Sequence, residues 1–279
     1  MSAVIGWGGM PWQMLGLLMA IALVVSSIGF YRMVYFISIG YAFSIAAMVV
    51  ALVIVAWEQL SWLALAQNAL LLVWGLRLGI FLVQREWRQQ SYREQAESMH
   101  GASAGLNFGV RCAIWVTVAL LYVALFAPSL FAGIGRAPLP VWAQAVQALG
   151  VLIMAGGLLL EAVADAQKSA AKARAPRAFV QTGLYSWVRC PNYLGEMLFW
   201  VGNFIAGIGF YLLPGPWLLS LTGVTCLILI MLGSTRRIEL AQDARYGSQA
   251  DYQRYARTTP VVFPFVPVYT LRNLRVYLG

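Results

Sequence analysis

Eight residues, Arg189 to Glu196, bring together a guanidinium, a thiol, an Asn–Tyr pair and a carboxylate, within the run Gly183-Leu-Tyr-Ser-Trp-Val-Arg-Cys-Pro-Asn-Tyr-Leu-Gly-Glu196. An apolar run from Met197 to Pro216 follows at once, long enough to lie in a membrane. Charged groups at the mouth of a membrane helix are costly unless they hold something. The cluster therefore reads as a site, and what it holds is the question. Pro191 suits a helix first turn. A helix begun there puts Asn192, Glu196, Trp200 and Asn203 at i, i+4, i+8 and i+11, a face that stays polar as it sinks into the membrane. Helix–helix bonding in lipid accounts for Asn203 alone. It is strained for Glu196 together with Asn192 and Arg189.

A second stripe precedes it. Glu161, Asp165, Lys168 and Lys172 follow i, i+4, i+7 and i+11, and the two lysines are the only ones in the chain. Either Asp165 pairs with Lys168 on a solvated face, or the ammonium groups form a phosphate-binding face. A third set lies in the tail: Arg236, Arg237 and Glu239, then Tyr246, Asp251, Tyr252 and Tyr255, then Phe263-Pro-Phe-Val-Pro267. Flat rings with hydroxyls suit the sandwiching of a base or ribose, and equally a surface helix packed on headgroups. Two further charges border or enter apolar segments. Glu58, in Val55-Ala-Trp-Glu-Gln-Leu-Ser-Trp62, is either an exposed loop carboxylate or a buried acid. Arg77, in Trp74-Gly-Leu-Arg-Leu78, must face protein or water, as a counter-ion or a catalytic group.

The elements that position these groups follow from composition. The chain is 61% hydrophobic and 10% charged, against about a quarter charged in soluble domains. Apolar runs predict seven transmembrane helices at 12–30, 34–56, 61–83, 110–133, 139–163, 194–213 and 215–233, an all-α polytopic membrane protein. One integral domain over 1–279 is expected, with cytoplasmic cofactor-binding elements at about 161–200 and 234–267. Arginine and lysine fall almost wholly on the side of the C-terminus. This predicts that the C-terminus is cytoplasmic and the N-terminus outside. Basic cytoplasmic loops explain the net charge of +9 without a nucleic-acid partner. Trp57, Trp62, Trp142 and Trp217 gather at the predicted outer interface as anchors, and the polar loop 84–108, with Gly101, Ser103 and Gly105, is a plausible lid. One histidine, His100, and three cysteines without paired spacing argue against a protein-bound zinc or haem site, so no metal is expected.

Taken together, Ala164-Asp-Ala-Gln-Lys168 with Lys172, Gly183-Leu-Tyr, Arg189-Cys-Pro-Asn-Tyr-Leu-Gly-Glu196, Arg237-Ile-Glu239, Tyr246-Gly247, Tyr252, Tyr255 and Phe263-Pro264 resemble the membrane steroid 5α-reductase family and its bacterial relatives. The resemblance covers roughly residues 145–267, and Cys190 stands where that family usually has histidine. It implies an NADPH-dependent reductase that saturates the carbon–carbon double bond of a 3-oxo-Δ4 steroid, with hydride passing to carbon 5 and the ketone polarised by a buried acid. The cofactor set it implies is Asp165, Lys168, Lys172, Arg189, Asn192, Tyr193, Glu196, Arg237, Glu239, Tyr246, Tyr252 and Tyr255. Glu58 matches the family's membrane glutamate. The family's third-helix tyrosine has no match, and Arg77 lies near its position. Trp57, Trp200 and Glu58 would line the substrate. The implied partners are a steroid or related enone lipid, NADPH and membrane lipid, for a monomer in a bacterial inner membrane. The isoprenylcysteine carboxyl methyltransferases share the final two blocks, so an S-adenosylmethionine-dependent enzyme is the alternative, with another sterol or enone-lipid reductase beside it. The Asp165–Lys168 block favours NADPH, whose phosphates call for cations.

Overall fold

The computed structural model describes residues 10–88, 105–135 and 139–278, and the regular structure among them is wholly helical. Seven of the described helices are long and apolar enough to cross a membrane. They are α1 (Trp12–Ser26), α2 (Ile39–Ala56), α3 (Trp62–Arg88), α4 (Phe108–Ile134), α5 (Val141–Arg174), α6 (Pro191–Gly207) and α7 (Pro214–Tyr246), and a short α8 (Ala250–Thr258) follows. The protein is an integral membrane protein. Single 3-10 turns prolong α1, α2 and α6, and two more stand at Met33–Ile37 and Gly183–Ser186.

The helices begin and end for local reasons. Asn107 caps α4, its side chain accepting the Val110 N–H at 2.9 Å. Ser61 does the same for α3 from the Ala64 N–H at 3.2 Å. Proline opens α6 and α7, where its missing N–H leaves no bond unmade. Three helices outrun their apolar segments: α3 to Arg88, α5 to Arg174 and α7 to Tyr246. Beyond its apolar part α5 is alanine-rich with Lys172 and Arg174 in its last turn, a composition that holds a helix in water. The expected loop 84–108 is accordingly shorter at both ends. Its central residues, including His100, Gly101 and Ser103, lie outside the described residues, as does Arg136. At the other boundary, α2 starts at Ile39 because Met33–Ile37 forms a 3-10 turn.

Contacts divide the chain into two units, Met1–Val151 with Asn203–Gly223, and Leu152–Gly202 with Val224–Gly279. In the first, glycine lets backbones meet: a Cβ on Gly75 would stand 2.7 Å from the Ala42 carbonyl oxygen, so α3 lies directly on α2. Buried amides join its helices. Gln67 Nε2 donates to Asn203 Oδ1 at 2.8 Å, Asn203 Nδ2 to the Leu125 carbonyl at 2.9 Å, and Ser129 Oγ to Asn68 Oδ1 at 2.9 Å. Asn203 thus serves as helix–helix glue.

The second unit has the tail as its lid. Cys190, Met197, Val261 and Val262 form a buried core, with Tyr193, Leu194 and Ile238 packed against it. The Arg189 and Cys190 N–H groups donate to the Pro260 and Val261 carbonyls, each at 2.9 Å, so residues 260–261 pair with the strand-like approach to α6.

Candidate functional site

Both polar stripes meet in the second unit. Gly157 of α5 and Gly195 of α6 face each other so closely that a Cβ on Gly157 would stand 2.6 Å from the Gly195 carbonyl oxygen. A Cβ on Gly195 would stand 2.6 Å from the Glu161 nitrogen. Absence of side chains at these two positions draws the backbones together and brings Glu161 beside Gly195 and Glu196. Glu161, Asp165 and Glu196 are buried, Lys168 is half-buried, and Asn192 is half-buried at the start of α6. The Asn192 side chain makes no hydrogen bond among the described residues, which leaves an amide donor and acceptor for a ligand.

Gly183 orients the approach to this seam. Its φ of +65° belongs to the left-handed region, and a Cβ there would stand 2.5 Å from Gln167 Oε1. That oxygen accepts the Leu184 N–H at 2.9 Å, tying the Gly183–Ser186 turn to α5. Gln167 sits inside the Ala164–Lys168 block, one residue before the lysine, and its part was not foreseen.

Arg189 is engaged inside the protein. Its Nη2 donates to Glu239 Oε1 at 2.9 Å and to the Tyr269 carbonyl at 2.6 Å, in a pair whose side chains are each 2% exposed. Glu239 Oε2 accepts the Leu271 N–H at 2.7 Å. Arg272 Nε lies 2.7 Å from Asp243 Oδ2, and Asp243 Oδ1 accepts from the Tyr252 hydroxyl at 2.9 Å. Two members of the expected cofactor set, Arg189 and Glu239, thus clamp the C-terminal segment onto α7. Arg189 Nε and Asp243 Oδ2 are the atoms of this clamp that are buried without a hydrogen-bond partner among the described residues, the latter facing Arg272 as an ion pair.

The tyrosines are also internal. Tyr246, Tyr252 and Tyr255 form a buried cluster around Phe179, with ring centroids 5.9, 5.4 and 5.6 Å from it. Tyr255 donates to the Tyr185 carbonyl at 2.6 Å. Lys172 Nζ donates to the Ala178 and Pro176 carbonyls and the Tyr246 hydroxyl, at 2.7, 3.4 and 3.0 Å. It closes the turn after α5. Arg237 is exposed and donates to Ser234 Oγ at 2.9 Å. Burial holds the Tyr185, Tyr252 and Tyr255 hydroxyls well above the usual phenol range, so they stay protonated donors. Burial also pushes the Cys190 thiol up to about 11, against the opposing pull of Lys168 and Arg189 and with the aid of Glu239.

A family described as "Protein of unknown function (DUF1295)" matches residues 21–259. The chain belongs to that family. No curated protein and no solved structure matches it. The matched span of this DUF1295 chain runs from α1 through α8 and so takes in both units.

The first unit carries the remaining expected residues. Glu58 sits on the Trp57–Gln59 turn and is exposed, which corrects the expectation of an acid enclosed by protein. The reason is local: α2 ends at Ala56, and the tighter turn carries the carboxylate past the packed face of the helix. Trp57 is exposed beside it, whereas Trp200, of the second unit, is fully buried against Phe199. Arg77 is half-buried within α3.

One polar cluster went unforeseen. Arg32 Nη1 donates to Glu86 Oε1 at 2.5 Å, and the Tyr35 hydroxyl donates to the same oxygen. Burial and the Glu86 bond push the Tyr35 phenol up to about 12. The signal was present, since Glu86 is a carboxylate at the mouth of an apolar helix, as Glu196 is.

Proposed function

We propose that the protein is a membrane reductase that uses NADPH to saturate the double bond of a 3-oxo-Δ4 steroid or a similar enone lipid, and that its second unit holds the cofactor. The α5–α6 seam carries this reading. An open amide at Asn192 and carboxylates at Glu161, Asp165 and Glu196 suit a carboxamide and ribose hydroxyls, with Lys168 as the cation for phosphate. Bound there, the cofactor would supply hydride to carbon 5, and a proton taken from water at carbon 4 would complete the addition. Lys172, Arg189, Glu239 and the three tyrosines would act by holding the unit's shape rather than by touching the nucleotide, given the protein partners they already have. Glu58 is not needed as an enclosed acid in this scheme, and Glu58→Gln should leave kcat within about twofold, the range expected of an exposed side chain whose loss removes little.

One observation favours the methyltransferase alternative. The seam holds three buried carboxylates against one lysine, a balance that also suits the sulfonium of S-adenosylmethionine. Cofactor-dependent thermal stabilisation of the purified protein separates the two. NADPH is expected to raise the melting temperature and S-adenosylmethionine to leave it unchanged. NADPH oxidation should then appear only when progesterone or testosterone is added, yielding the 5α-dihydro product. Stabilisation by S-adenosylmethionine with methyl transfer to a prenylcysteine would replace the proposal. Asn192→Ala should weaken NADPH binding while leaving the melting temperature of the cofactor-free protein in place.

The orientation belongs to the same proposal. We infer a cytoplasmic C-terminus from the placement of arginine and lysine, which would put the Arg189–Glu196 motif within reach of cellular NADPH.

A further inference from the structure

The first unit contains a cleft of about 200 Å³ at the ends of four helices. Its walls come from the Trp57–Gln59 turn, the starts of α3 and α5, and the end of α4, with Phe210 as a further side. None of its lining residues among those described is charged. Gln147, only 2% exposed, contributes an Nε2 that is buried without a hydrogen-bond partner among the described residues. Its neighbours are differently placed. Gln144 Nε2 already donates to the Leu139 carbonyl at 2.8 Å. Ser61 Oγ accepts the Ala64 N–H at 3.2 Å, which leaves its own proton to give. Leu63, Ala132 and Phe210 make the rest apolar.

A buried donor without an acceptor is costly, and few native amides are left that way. A single water, at about 30 Å³, would fill only a small part of the space. The exposed tryptophans Trp57, Trp62 and Trp142 cluster at these same helix ends, and Trp62 itself lines the cleft. Amphipathic rings of this kind mark the depth of lipid headgroups. We propose that this cleft binds the uncharged polar end of an amphiphile, whose carbonyl or hydroxyl oxygen accepts a hydrogen bond from Gln147. Among the described lining residues no ionic side chain offers a counter-ion to a fatty-acid anion or a phosphate-bearing headgroup. The shared chemistry admits two sources, a neutral membrane lipid and a ketone-bearing steroid.

The test uses the full-length protein in phosphatidylcholine nanodiscs, without any nucleotide. A monoacylglycerol carrying a photoactivatable diazirine near its ester is bound, irradiated and mapped by mass spectrometry. Crosslinks are expected on the peptides around Gln59–Leu63 and Leu139–Gln147. Unlabelled monoolein should compete, and oleate anion should not. Gln147→Leu keeps the side-chain size and removes the donor, and it should cut labelling about fivefold to tenfold, the scale of one lost hydrogen bond. Leu139→Trp fills the cleft from its rim and should abolish labelling, which decides the matter should Gln147→Leu fold poorly. Competition by progesterone would identify a steroid as a natural occupant, and its failure to compete a membrane lipid. Wild-type labelling in both variants, or crosslinks confined to other peptides, would overturn the proposal. Because the assay contains no cofactor, its failure and the failure of the reductase reading are separate results.

Discussion

At the scale of single residues, several polar side chains of the second unit hold it together. Arg189 and Glu239 are buried and paired at 2.9 Å, so removing Glu239 strands the Arg189 charge and removing Arg189 leaves Glu239 only the more distant Arg272 at 3.8 Å. Arg189→Ala or Glu239→Ala should each cost about 3–5 kcal/mol of stability, and the double variant clearly less than their sum. Melting of the purified variants, arranged as a double-mutant cycle, measures the coupling; simple additivity would show the pair to be energetically independent. Cys190 gives a second expectation. With its thiol pushed up to about 11, it should be almost entirely protonated at pH 7.5, with roughly one thiolate in a few thousand. Maleimide should therefore modify it far more slowly than the half-buried Cys112 and Cys226, the difference narrowing after denaturation. Activity retained in Cys190→Ser would agree with a thiol that packs rather than reacts.

At the scale of elements, the α5–α6 contact is the feature on which the proposed site depends. Two glycines, Gly157 and Gly195, allow it, and α5 must stay helical beyond the apolar stretch to carry Asp165 and Lys168 to the mouth of α6. Gly195→Val places atoms where the Glu161 backbone already lies. It should lower stability by about 1–3 kcal/mol and also abolish stabilisation by NADPH. A surface control such as Arg254→Ala should leave both unchanged. If Gly195→Val lowers the melting temperature but keeps NADPH stabilisation, the seam is structural and the cofactor contacts lie elsewhere in the unit. Much of this element was legible beforehand. The i, i+4, i+7 spacing of Glu161, Asp165 and Lys168 gave the stripe, and the charge at the mouth of an apolar run singled out Arg189 to Glu196. Their convergence was not legible, because it depends on two glycines whose partners are 38 residues apart in the chain.

At the scale of the whole molecule, seven membrane-spanning helices and a basic tail make topology the first property to measure. A fluorescent protein that matures only in the cytoplasm should light up when fused after Gly279, and a periplasm-dependent phosphatase fused there should stay inactive. The opposite pair of outcomes would remove the proposed cofactor motif from the cytoplasm. Sequence alone determined the class of this protein. An excess of apolar residues in runs of helical length can satisfy the backbone in lipid only as helices, and that constraint is local enough to read directly. It placed the start of each span to within about five residues, although α3, α5 and α7 run on past the expected ends, and it marked the polar stripes, since cost in a membrane attaches to residue type. Tertiary structure decided what each polar group does. Arg189, Glu239, Lys172 and the three tyrosines look alike as ligand candidates and as struts until their partners are known, and those partners come from distant segments. The Tyr35–Glu86 bond and the unpaired Gln147 amide arise the same way. A side chain's type says that it must be satisfied; only packing says by what.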